Sequence, residues 1–184
     1  MTSLETTIQP KERKMRRSLT ATLVALSVSS MALADAGTPL TAWSALSTRT
    51  PKGTPLCALT ATPASGLTVK NVVVKKFGGS EYLNLTMYKD SWRIPQGTSV
   101  TTTIDFSDGQ PLTLESYGDG KIVDAALPKE VTATFLSMMS RAKVLRISFP
   151  NGKEPAWSAS LVPGRSEMKA FVECMLKQEN TQPF

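Results

Sequence analysis

Histidine is absent from all 184 residues of the chain. That removes Ser-His-Asp and Cys-His nucleophile activation, the common zinc sites and the most frequent general base near neutral pH. The remaining groups of chemical interest are few. Ser140-Arg141-Ala142-Lys143 has the S-x-x-K spacing, in which a lysine one helical turn from a serine can activate it. Its partner motifs S-D-N and K-T-G are missing, and Ser140 falls at the end of its predicted helix, where cations are expected beside the negative end of the dipole. Asp105, Asp108, Glu115, Asp119 and Asp124 would be the material for a carboxylate pair or a calcium site. Calcium-loop spacing is absent, however, and Asp108 and Asp119 stand in Gly-containing turns that favour Asp for backbone reasons. Phe77-Gly78-Gly79 lacks the Lys-Ser/Thr and the following helix of a phosphate loop, so it reads as a hairpin turn. The sequence therefore predicts no enzyme, no cofactor and no metal.

Two pairs of residues carry more weight. Cys57 and Cys174 are the only cysteines, and an even count in an exported chain points to a disulfide. The alternatives are two buried free thiols or a catalytic cysteine, which would have no histidine as its base. Trp92-Arg93 lies in a predicted loop, and exposed Trp and Arg supply much of the energy of protein interfaces. This makes the pair a candidate partner contact; the other reading is a Trp that closes one end of the domain.

The export argument comes from the leader. Arg16 and Arg17 precede a mostly apolar stretch from Leu19 to Ala32, and Ala32-Leu33-Ala34 places small residues where signal peptidase inspects them. Cleavage is expected before Asp35, with Ala34-Asp35-Ala36 as a second site. The stretch is short and rich in Ser and Thr for a spanning helix, and no cysteine follows it to take a lipid, so no stable membrane anchor is expected after cleavage. Residues before Met15 read as an extended basic region or an early start. Five of the 21 basic residues and two of the 15 acidic ones precede Asp35, which reduces the net charge of +6 to a surplus of three. A surplus that small, without a basic stripe interleaved with aromatics, argues against a nucleic-acid partner.

The elements that must position these residues are mostly strands. Residues 35–55 are rich in Thr, Ser, Pro and Gly around Trp43 and read as an extended arm or a loosely docked first strand; residues 56–184 read as one β-rich domain. Leu67 to Phe77 and Glu81 to Tyr88 flank Gly78-Gly79 as a hairpin. Lys89 to Gly97 is expected as a loop, then Ser99 to Phe106, Pro111 to Tyr117 and Lys121 to Ala126 as strands. Pro128 in a first turn opens a helix with Val131, Phe135, Met138, Met139 and Ala142 on one face. Val144 to Phe149 and Ala156 to Leu161 flank Asn151-Gly152, a strong hairpin signal. Ser166 is expected to cap a last helix whose inward face carries Met168, Phe171, Cys174 and Met175. The fold class is mainly β with two helices: about seven strands in a small antiparallel β-sandwich-like or barrel-like domain, closed by one disulfide.

From Leu83 to Phe171 the motifs follow a set order. Pro95-Gln96-Gly97 enters a strand that ends in Ile104-Asp105, the segment Val123 to Leu127 follows, and a helix feeds the strand Val144 to Ile147. An Asn-Gly-type turn, then Trp157-Ser158-Ala159-Ser160-Leu161 before Gly164 and a terminal helix, complete the order. This order resembles the invasion-associated locus B family, small periplasmic proteins of alphaproteobacteria. Gly118-Asp119-Gly120 stands without cysteine where that family carries a Gly-Cys pair, and Cys174 departs from its usual arrangement. The resemblance implies a periplasmic or secreted, non-catalytic protein that meets an envelope or host protein, with no functional residue to carry over. The other reading is a periplasmic inhibitor of a lysozyme or protease, for which Lys89 to Gln96 is the plausible rigid loop.

Overall fold

A computed structural model of the chain describes residues 38–65, 69–107 and 109–179. The leader, its cleavage site and Asp108 lie outside the described residues. Among the described residues nine strands form a closed barrel, β1 (Leu40–Arg49), β2 (Pro55–Pro63), β3 (Lys70–Phe77), β4 (Leu83–Lys89), β5 (Ile94–Phe106), β6 (Leu112–Gly120), β7 (Ile122–Leu127), β8 (Val144–Ser148) and β9 (Trp157–Ser160). Helix α1 (Lys129–Arg141) lies between β7 and β8, and α2 (Arg165–Glu179) follows β9. The fold class expected from the sequence is the one observed, with a barrel in place of the sandwich alternative.

Around the barrel the order is β1-β2-β3-β4-β7-β6-β5-β8-β9. Eight neighbouring pairs are antiparallel, and the ring closes through a parallel bridge, Leu40 to Ala159. Closure of this kind leaves few unpaired strand edges. Alternation writes the interior directly: Val72 and Val74 on β3, Leu83, Leu85 and Met87 on β4, and Val123, Ala125 and Leu127 on β7 are all buried. Thr102 and Ser116 are also buried, and the Ser116 hydroxyl donates to Thr102 Oγ1 at 2.9 Å, so neither is left unsatisfied.

Five details differ from the sequence expectations. The segment read as an extended arm or a loosely docked first strand contains β1, a full barrel strand that Trp43 anchors by donating its Nε1–H to the Ser160 carbonyl at 2.7 Å. The predicted loop after Lys89 shrinks to four residues, since β5 starts at Ile94 and continues through an irregular register between Ile94 and Thr98, with Gly97 at a φ of 77°. Asn151-Gly152 is not a two-residue turn: the strands around it stop at Ser148 and Trp157, and the Asn151 amide instead donates to Thr101 Oγ1 at 3.1 Å. Pro128 is the N-cap of α1 rather than a first-turn residue, and Ser166 lies inside α2 because a short 3₁₀ turn, Val162–Gly164, leads the chain in.

Gly164 is buried under the Trp43 ring. A Cβ built there would sit 2.5 Å from Trp43 Cγ and 2.6 Å from Cδ2. The ring is held by its bond to Ser160 and has little room to yield. Gly164→Ala is therefore expected to lower stability by about 1 to 3 kcal/mol, the usual cost of overpacking. Urea denaturation would measure it, and an unchanged midpoint would refute the tight contact.

Candidate functional site

The registers place the two ends of the barrel. The helices and the Phe77–Glu81 turn lie at one end; the loop Asp90–Arg93 and the start of β9 lie at the other. This second end holds the most connected side-chain cluster of the described residues. Trp92 stacks on Trp157 with centroids 5.2 Å apart and planes at 19°, and Phe149 meets both edge-on at 5.6 and 5.8 Å. These are the offset and edge-to-face arrangements that aromatic quadrupoles favour. Lys70, itself buried, brings its ammonium to 5.8 Å from the Trp157 ring centre, within cation–π range.

Glu154 joins the cluster. Its Oε1 accepts from Lys89 Nζ at 2.8 Å and from Trp157 Nε1 at 2.8 Å; its Oε2 accepts from Lys89 Nζ at 3.0 Å and from Trp92 Nε1 at 3.1 Å. Each oxygen thus takes one lysine and one indole bond. Only 14% of the Lys89 side chain and 16% of the Glu154 side chain are exposed. Burial, the largest single influence, pushes the Glu154 carboxyl up, but the bonds from Lys89, Trp157 and Trp92 together outweigh it and hold it below the ordinary value. All four acceptor positions of the carboxylate are filled. The arrangement is chemically a lock, with no spare lone pair for a substrate.

Arg93 sits on this base. It is exposed, and its Nη1 donates to the carbonyls of Asp90 at 2.7 Å and Trp92 at 2.6 Å. Asp90 is paired with Lys121 and accepts from the Tyr88 hydroxyl at 3.2 Å. The Lys121 bond, then the Tyr88 bond, hold the Asp90 carboxyl below its usual range, and Asp90 in turn raises Lys121. The loop is thus braced from both sides, with Trp92 half-buried as its foot and Arg93 outside.

The other sequence candidates are scattered. Ser140 donates to the Ser137 carbonyl at 2.8 Å, and the helix ends at Arg141 with Ala142 already extended at ψ 157°, so Lys143 does not lie one helical turn above the serine. Asp105 faces Arg146 across β5 and β8, Glu115 and Asp119 stand on the exposed face of β6, and Asp124 accepts from the Thr86 hydroxyl. No group of three or more His, Cys, Asp or Glu able to hold a metal occurs among the described residues. Gly78-Gly79 forms the β3–β4 turn, with Ser80 N–H donating to the Phe77 carbonyl at 3.1 Å. Cys57 and Cys174 are bonded, with Cα atoms 6.0 Å apart; Cys57 is fully buried and Cys174 half-buried.

No known protein family, curated protein or solved structure matches this chain. The likeness to the invasion-associated locus B proteins therefore rests on residue order alone.

Proposed function

We propose that this chain is an exported, non-catalytic protein of the periplasm or the cell exterior that works by contact with an envelope or host protein, as the locus B resemblance implies. The observation that carries the reading is the Cys57–Cys174 bond, because disulfides persist in oxidising compartments outside the cytoplasm. The leader argues in the same direction. The contact residue is Arg93, presented by a loop whose conformation is already fixed, so that little ordering entropy is lost on binding. Trp92 contributes by holding that loop rather than by meeting the partner.

The braced loop also favours a second reading, inhibition of a lysozyme or protease, since such inhibitors insert rigid loops. A direct inhibition assay separates the two readings.

Two measurements test the main proposal. Mass spectrometry of protein from the periplasm should find an N-terminus at Asp35 or Gly37; an intact leader on the mature form would reject export. Affinity capture from envelope extract should then be compared for two variants. Arg93→Glu is expected to lose the captured protein with its melting temperature unchanged. Trp92→Ala is expected to lose about 2 to 4 kcal/mol of stability, a little under the cost of deleting a fully buried Trp. Equal capture by Arg93→Glu and wild type would remove Arg93 from the contact.

A further inference from the structure

Helices α1 and α2 share one end of the barrel without closing against each other. α1 turns Phe135 and Met139 into the core, and α2 turns Met168, Phe171 and Met175 into it. Leu136 and Val172, which neighbour these residues in sequence, stay half-buried and line a cleft between the helices. The inner chamber, the one toward Arg165, is about 320 Å³ and has a floor of Leu59, Met139, Met168 and Phe171 under a rim of exposed Ser140, Lys169 and Glu173. The outer chamber, about 840 Å³, opens beside Lys76 and Lys129. Leu136 and Val172 line both chambers, which meet at these two side chains.

Two struts keep the cleft open. The Cys57–Cys174 bond ties α2 to β2. At the other end of α2, Arg165 Nη2 donates to the carbonyls of Arg141 and Ala142, both at 3.0 Å, which fixes the end of α1 against the start of α2. A cleft held this way is preformed, as small-molecule sites usually are.

We propose that the cleft binds one fatty acid, with its chain in the inner chamber and its carboxylate at Lys129 and Lys76 in the outer one. The floor is apolar and contains two methionines, whose flexible thioethers adapt to an unbranched chain. The charges favour this orientation. At the inner end Lys169 already faces Glu173 at 3.9 Å and Arg165 is taken up by carbonyls. In the outer chamber Lys76 Nζ rests on the neutral Ser80 carbonyl, and Lys129 has no carboxylate within ion-pair distance among the described residues. Glu81 lines the same chamber but pairs with neither lysine. The site lies at the opposite end of the barrel from Trp92 and Arg93, so it stands apart from the protein-contact reading.

The test is calorimetric titration of the oxidised full chain with sodium dodecanoate below its aggregation threshold, and with dodecyltrimethylammonium as the cationic control. One dodecanoate should bind per chain, and the cationic amphiphile should bind weakly or not at all. Lys129→Glu should weaken dodecanoate roughly fivefold or more, an ion pair's worth with its sign reversed. Val172→Trp, which fills the passage between the chambers, should abolish binding. Should that variant fail to fold, Ala133→Trp, at an exposed position on the outer wall, should block entry and leave the melting temperature unchanged. No saturable binding, equal binding of both amphiphiles, or full binding by a folded variant with the cleft filled would each overturn the proposal.

Discussion

Replacing Cys57 and Cys174 together by alanine is expected to remove about 4 to 5 kcal/mol of unfolding free energy, because the bond closes a chain segment of 117 residues. The effect acts chiefly on the unfolded chain, whose ends the bond holds together; the folded barrel keeps its strand ladder without it. For a domain of this size the loss corresponds to a fall in melting temperature of roughly 10 to 20 °C. Denaturation should also show a larger m-value for the alanine pair, since its unfolded chain expands further. Reducing the wild-type protein with dithiothreitol removes the bond without removing atoms, so it separates the cross-link from any cavity left at buried Cys57. If reduced wild type unfolds at the same denaturant concentration as oxidised wild type, the bond contributes nothing and the entropic account fails.

This bond was legible in the sequence because it needed only a count and a compartment. The barrel interior was legible for a similar reason: Val72, Val74, Leu83, Leu85 and Met87 follow the two-residue period of a strand, and the period is local. β1 was harder, since its residues beyond Trp43 are exposed on both faces and show no alternation; what fixes the strand is a ladder to β2 and a tryptophan bond to Ser160 more than a hundred residues away. Asn151-Gly152 misled for the opposite reason. A two-residue turn is a local preference, and here the loop is set by distant groups, with Asn151 reaching Thr101 and Glu154 reaching Lys89 and Trp92. Trp92 and Arg93 stood out by residue type, and of the two readings of Trp92 its stack on Trp157 fits the one that closes an end of the domain; nothing adjacent in sequence separated it from exposed Arg93. Glu154 carried no signal at all. A lone carboxylate between Lys153 and Pro155 looks like an ordinary turn residue until the fold brings three donors to it.

Glu154→Ala is accordingly expected to cost about 3 kcal/mol, the lower end of the range for breaking a buried pair, because a little of each side chain still reaches water. The variant leaves the Lys89 ammonium and the Trp92 and Trp157 indole N–H groups without their shared acceptor in a site closed by aromatic rings. Glu154→Gln keeps one acceptor oxygen and should cost less, about 1 to 2 kcal/mol, since it loses the charge-assisted part of the lysine bond. The dependence on pH distinguishes this lock from simple packing. The folded carboxyl is held below its ordinary value of 4.5, so its contribution is complete above that pH and disappears as the pH falls through the folded value. Wild type should therefore lose stability on acidification faster than Glu154→Gln, and the gap between them should narrow below about pH 4.5. Intrinsic tryptophan fluorescence during urea unfolding at several pH values reports both the stability and the surroundings of the stacked indoles. A gap that stays constant from neutral pH into the acid range would mean that the charge of Glu154 does not hold this end of the barrel, and that the aromatic stack closes it alone.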